Sequence, residues 1–369
     1  MKRIGAYLAL LLGVFLLVLG LSVKFVVAPK AVKAPLQIPT KYQTLIATGD
    51  NFTMLNSTTG KEDVVSVYIT RHIEGDTVGD NRGDGTNAVY EESLCLMRVT
   101  AADKTPGCGN GANLITSSVD RIAFNRVNGY AVNDAKYDAS VDGDSIPHEG
   151  LGYKFPIDTK KKTYQYFDTV VGKAFPMNYS GQEKLQGLTV YKFVQQITNQ
   201  PCYTNRTLPS TYSNTRTVWV EPTTGAIIKG SENLKQTLTG RAGLSPTSAI
   251  TDPTLQGKVA LQGLLTFTDA TQKNQAALAK DNLPKVHLVR LWIPLIGVVL
   301  GLILIALGVF LLLRRRDAAP VGQHYARDDE PTVRTTATAT ATNETAPYRT
   351  DQSFGPAPNQ RPNQPRLQE

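Results

Sequence analysis

Leu291-Trp-Ile-Pro-Leu-Ile-Gly-Val-Val-Leu-Gly-Leu-Ile-Leu-Ile-Ala-Leu-Gly-Val-Phe-Leu-Leu-Leu313 carries no charge over twenty-three residues and stops at Arg314-Arg315-Arg316. As a helix it is about 35 Å long, enough to cross the hydrocarbon core of a bilayer. Gly297, Gly301 and Gly308 are tolerated in such a helix, and the indole of Trp292 suits an interface. A second run of the same kind, Ile4 to Val23, follows Lys2 and Arg3 near the other end. It competes with a cleaved signal peptide. Its apolar core is longer than the usual one, and no small-x-small cleavage site follows Lys24, so a retained anchor is the reading taken. The expected organisation is a cytoplasmic stretch 1–3, a first span 4–27, an extracytoplasmic domain 28–290, a second span 291–313 and a cytoplasmic tail 314–369. The orientation rests on Lys2, Arg3 and the Arg314–Arg316 triplet, which hold both termini in the cytoplasm; the long loop between the spans translocates largely regardless of its charge.

Between the two runs the sequence changes character. Val64–Thr70, Ala88–Thr100, Val119–Asn125, Thr163–Thr169 and Leu188–Ile197 are short and β-branched or aromatic, with Gly, Asn and Asp clusters between them. The clearest hairpin is Arg216–Lys229, where Pro222 opens the turn and Gly225 supplies the positive φ of a bulged hairpin. Closely spaced strands without long helices between them pair antiparallel. One Ala/Gln-rich helix is expected from Asp269 to Lys280, ending before Pro284. The fold class is therefore membrane α plus an extracytoplasmic β-rich (α+β) domain, with antiparallel sheets or an open barrel between two transmembrane helices.

The formal charge is +8 over 369 residues. No basic stripe interleaved with aromatics stands out, so nucleic acid is excluded as a partner. All three cysteines fall in the outer domain, where disulfides persist. Cys95 and Cys108 are expected to pair around a short loop holding Pro106 and Gly107, the alternative being three free thiols. Cys202 is left free or paired elsewhere. The tail, with its Thr335–Thr342 Thr/Ala repeat and few large apolar residues, is expected to be disordered. Within it Thr332, directly after Asp328-Asp329-Glu330, is a candidate phosphorylation site for recognition by an Arg-lined module.

Catalytic signatures are scarce. His72, His148, His287 and His324 have no partner at metal-ligand spacing, and there is no Gly-x-Ser-x-Gly elbow, so no catalytic residue, metal or cofactor is expected. His148-Glu149 reads as a solvated pair in a turn rather than an acid/base couple. The acidic stretches Asp76–Asp84 and Asp134–Asp144 invite calcium, but neither matches the Asp-x-Asp-x-Asp-Gly alternation and both read better as turns. Arg82-Gly83-Asp84 spells an adhesion tripeptide within one of those turns. The stretch 148–168 is more distinctive. Tyr153, Lys154, Phe155, Tyr164 and Tyr166 form either a core strand or an amphipathic surface for anionic lipid or glycan head groups.

Val119-Asp-Arg121, Gly150-Leu-Gly-Tyr-Lys-Phe-Pro156, Lys162-Thr-Tyr-Gln-Tyr-Phe-Asp168, Gly187-Leu-Thr-Val-Tyr-Lys-Phe193 and Val218-Trp-Val-Glu-Pro-Thr-Thr-Gly225 together resemble the actinobacterial porin PorA family. The resemblance covers nearly the whole chain except the tail. It implies the envelope of Gram-positive, high-GC bacteria and, for some members, a link to lipoglycan assembly; it brings no catalytic residues. The expected function is a non-enzymatic envelope protein binding or transferring lipids or lipoglycans, with envelope-assembly proteins as further partners. The alternative is a signalling or scaffold protein read through its tail.

Overall fold

The computed structural model describes residues 2–56, 58–79, 82–100, 108, 113–137, 139–204, 208–239 and 255–314. The expectations for the tail, Thr332 included, lie outside the described residues.

The first apolar run forms α1 (Lys2–Ser22), then a π-helical turn, Val23–Val27, and the short α2 (Ala28–Ala31). The second forms α4 (Ile293–Leu313). Both are long and apolar enough to cross a membrane, and only 11% of the most apolar window of each is buried, unlike the mostly buried core helix of a soluble protein. They pack on each other through glycines: a Cβ on Gly301 would sit 2.7 Å from the Gly13 carbonyl oxygen, and one on Gly20 would sit 3.0 Å from the Pro294 carbonyl. Such close backbone approach is what small residues permit between membrane helices.

The segment between the helices is one antiparallel meander. It runs β1 (Thr44–Leu55), β2 (Glu62–Gly75), β3 (Asn87–Arg98), β4 (Leu114–Asn125), β5 (Ser140–Val141), β6 (Tyr164–Asp168), β7 (Lys173–Leu185), β8 (Leu188–Thr204), β9 (Leu208–Glu221), β10 (Ala226–Leu238) and β11 (Val259–Phe267). The sheet order is β5-β4-β3-β2-β1-β11-β10-β9-β8-β7-β6. The chain thus starts in the middle of an open sheet, builds one wing, crosses to the far edge and returns. The crossing segment, residues 142–163, acts as a strap. Leu151 bridges Tyr130, next to β4, and Tyr166 of β6, so both edges bond to the same short piece of chain.

The expected hairpin is present: β9 and β10 pair around Pro222–Gly225, Gly225 has φ +75°, and the register shifts between Ile227 and Lys229. A side chain at Gly225 would strike the Phe155 carbonyl, which is how the strap docks under this turn. Helix α3 (Asp269–His287) starts at Thr268, whose hydroxyl accepts the Thr271 N–H, and packs Ala276 and Ala279 against Leu188, Val190, Trp219 and Ile228 on the outer face of the sheet. The expected end before Pro284 is corrected. Proline cannot donate the i→i−4 bond, but the helix absorbs that single loss and runs through Pro284 to a π-helical turn, Leu288–Trp292, that joins α4.

Strand alternation divides the sheet into two faces. The inner face has two apolar clusters. One is Leu151, Phe155, Tyr164, Met177, Phe193, Val218 and Val220; the other is Ala47, Phe52, Val67, Ile69, Leu96 and Leu265. Between them lies a charged patch.

Candidate functional site

In β2 the inward positions run Val67, Ile69, Arg71; in β9 they run Val218, Arg216, Asn214. Continuing each strand by two residues replaces an aliphatic side chain with a charged or polar one on the same face. Arg71, Glu92 of β3, Asp120 of β4, Arg216 and Glu232 of β10 together line a cavity of about 90 Å³, closed on one side by Tyr153, Tyr166 and Phe167 of the strap and β6.

The pairing is dense. Arg71 Nη2 donates to Glu232 Oε1 at 3.2 Å, and Arg216 reaches Glu232 through Nε at 3.2 Å and Asp168 Oδ2 through Nη2 at 2.9 Å. Arg216 Nη1 also donates to Gln195 Oε1 at 2.9 Å, and its guanidinium lies 5.6 Å from the Tyr166 ring centroid. Asp168, fully buried at the end of β6, further accepts the backbone N–H groups of Val170 and Val171. On the opposite side Asp120 accepts the Tyr153 hydroxyl and sits 2.7 Å from His148 Nε2; the His148 Nδ1 is buried with no hydrogen-bond partner.

Environment sets the charges apart. Burial works against ionising Glu232, but Arg216 and Arg71 outweigh it and hold the carboxyl down at about 2. Burial pushes Glu92 up, and its more distant guanidinium, Arg71, offsets only part of that. The arrangement is a low-dielectric pocket of fixed, mostly paired charges. It can orient or hold a small charged species. It also ties the strap to β4 and β6 to β9.

The candidate residues from the 148–168 stretch have different fates. Phe155 and Tyr164 are buried in the aromatic cluster with Phe193, and Tyr166 stacks against Phe155 with centroids 6.0 Å apart. Tyr153 packs beside Tyr90 and bonds Asp120. Lys154 has a partly exposed stem, but its Nζ is sealed from solvent without a hydrogen-bond partner, and burial pushes its pKa down to about 7. Of these five, Phe155 and Tyr164 are core, while Tyr153 and Tyr166 line the pocket. They come together because the strap lies against the inner face of the sheet.

The other expectations fall out as follows. Cys95 and Cys108 are disulfide-bonded with Cα atoms 5.5 Å apart, and Cys202 is a free, buried thiol. Asp84 accepts the backbone N–H groups of Thr86 and Asn87 and the Tyr137 hydroxyl, which lower its pKa, while Asp76 pairs with Arg121 at 2.7 Å. These are turn and strand contacts; Asp80 and Asp138 lie outside the described residues. Among the described residues no group of three or more His, Cys, Asp or Glu side chains forms a metal site.

Arg71, Glu92, Asp120, Arg216 and Glu232 escaped the sequence reading. Their signal was present, as charges at inward positions of alternating strands, but a single strand does not reveal which face is inward.

A family model described as "Porin PorA" matches residues 5–310. A protein named "Porin PorA" from Corynebacterium resistens is 22% identical over 86% of this chain and 98% of its own length. Another of that name, from Corynebacterium amycolatum, is 27% identical over 33% of this chain and 44% of its own. These names overturn the expectation of a lipid- or lipoglycan-binding or transferring protein, since both relatives are named as porins and neither for lipid or glycan. The signalling alternative finds no support either: the match ends at residue 310, before the tail. The porin name points to a channel rather than an enzyme. Matched along both apolar helices and the whole sheet between them, the chain belongs to the porin PorA family.

Proposed function

We infer that this protein is the subunit of a membrane channel. Helices α1 and α4 cross the membrane, both termini face the cytoplasm, and the β domain stands outside as a charged mouth through which ions or small polar solutes pass. The domain boundaries 4–27, 28–290 and 291–313 describe that layout. The observation that carries the reading is the interior of the sheet. Where a structural domain would place mostly aliphatic side chains, the inner face sets two guanidinium and three carboxylate groups around a cavity, and rings of fixed charge are how channels handle ions.

The outer face of the sheet does not resemble a lipid-facing barrel wall. Among the described residues its exposed large apolar side chains, such as Val64, Val119 and Leu264, are scattered and form no band. Contact with lipid falls to the helices, whose Leu, Ile, Val and Phe side chains are widely exposed. Apart from its terminal positions, the hairpin of α1 and α4 carries only Tyr7 as a polar side chain, so a water-filled passage needs the hairpins of more than one copy.

Planar-bilayer recording with the purified full chain tests this. Discrete current steps are expected, with a reversal potential in a salt gradient that moves in Glu232→Gln. Silent bilayers at protein-to-lipid ratios where insertion is verified would overturn the reading. Thiol-reactive probes on single cysteines placed in the N-terminal stretch and the tail, in intact cells, test the orientation: labelling from outside refutes it.

A further inference from the structure

The β3/β4 register sets Glu92 directly opposite Asp120, and both carboxylates line the pocket. Directly opposed side chains on one face stand about 5 Å apart at Cβ, and like charges there destabilise the pair unless something neutralises them. Asp120 has partners in His148 Nε2 and the Tyr153 hydroxyl. Glu92 does not. It is 7% exposed and accepts no hydrogen bond from any described residue, and the nearest cation is Arg71 Nη1 at 3.9 Å. That guanidinium is nearer to Glu232, and the Arg216 guanidinium is committed to Asp168, Gln195 and Glu232.

The formal charges do not balance. Arg71 and Arg216 face Glu92, Asp120, Asp168 and Glu232, and His148 supplies one further positive charge only in its cationic form. The charge left over falls on Glu92, at the wall of the cavity.

We propose that this pocket binds a small monovalent inorganic cation, of the sodium or potassium class, held between the carboxylates of Glu92 and Asp120 with water completing its shell. A volume of about 90 Å³ leaves room for an ion and a few waters. Calcium needs six to eight oxygens and several carboxylates in one shell, and the described residues contain no such convergence. The role of this site as a station on a conducting path rests on the channel reading. Binding itself does not.

The test is thermal unfolding of the detergent-solubilised full chain in sodium, potassium or N-methylglucamine chloride at one ionic strength. A cation at ten times its Kd is expected to raise Tm by about 3 °C over the bulky organic cation. Glu92→Gln, which removes the weakly paired charge, is expected to melt at one temperature in all three salts. Equal Tm values for the unmodified chain would overturn the proposal in favour of a proton on Glu92, and a cation shift that survives in Glu92→Gln would overturn it in favour of another site. Should Glu92→Gln fail to fold, sodium-23 line broadening by the unmodified chain, relieved by potassium, is the expected result; no broadening sinks the idea. None of these readings needs a current, so a protein that binds sodium yet stays silent in a bilayer refutes the channel and leaves the site standing.

Discussion

The inner face of the sheet has two halves that share one backbone geometry and differ in what fills them. Toward β6–β9 the strap brings Leu151 and Phe155 against Tyr164, Met177, Phe193, Val218 and Val220, an aromatic and aliphatic packing with Phe155 and Phe193 centroids 4.8 Å apart. Two residues along β9 from Val218, the same face turns to Arg216 and the carboxylates around it. The apolar half is favourable by area removed from water. The charged half is not stable by burial, because desolvating each ion costs several kcal/mol and only close pairing offsets it. The two halves should therefore respond to substitution by different mechanisms.

The largest effect is expected at Arg216. Arg216→Met leaves Asp168 fully buried without its counter-ion and should lower stability by about 3–5 kcal/mol, read as a drop in the denaturant midpoint. If Asp168→Asn in the same chain restores most of that loss, the cost was the uncompensated charge; if the double variant is no better, the guanidinium was acting as packing. Phe155→Ala is the counterpart in the apolar half and should cost about 3–4 kcal/mol through the cavity it opens. No second polar change should rescue it.

A third measurement lies away from both halves. Cys95 and Cys108 close a loop thirteen residues apart in sequence, and its reduction should cost about 3 kcal/mol in the chain-entropy account. Cys95→Ala/Cys108→Ala should reproduce the loss, and the effect should add to that of Arg216→Met, since the two sites share no partner.

The smallest effect should come from Lys154, on the strap between the two halves. Its pKa in the fold, about 7, lies below the ordinary lysine value of 10.5. Below pH 7 both the folded and unfolded chains carry the proton, and the burial penalty is present in full. As pH rises from 7 toward 10.5 only the unfolded chain keeps it, so this residue's contribution to stability improves with pH. Lys154→Met should stabilise the protein at pH 6 by about 2 kcal/mol and flatten that rise. A variant less stable than the parent at pH 6 would show that the ammonium has a partner in solution.

Much of the architecture was legible along the chain. Twenty or more uncharged residues have few alternatives to a membrane helix, and the Pro222–Gly225 turn specifies its hairpin through two residues with restricted or unusual φ. The strap was legible as composition but not as placement. Tyr153, Lys154 and Phe155 are consecutive, yet one meets a carboxylate, one is sealed without a partner and one enters the aromatic cluster. Nothing local tells a core strand from an amphipathic surface when aromatics and lysines alternate. The extent of α3 was misjudged for a related reason: proline's cost in a helix is a single lost bond and a local clash, and a helix anchored at both ends absorbs it.

The sequence by itself determined two apolar helices and an antiparallel β-rich domain between them, because hydrophobic length, strand period and turn chemistry are properties of neighbouring residues; which of the three cysteines pair was settled by the fold. Only the tertiary structure decided that Arg71, Glu92, Asp120, Arg216 and Glu232 share one pocket. They come from five strands, and β1 and β11, at opposite ends of the sheet in sequence, must pair before the two wings face each other. A charge on an alternating strand has two faces available to it, and which one is buried is fixed by what packs there from elsewhere in the chain.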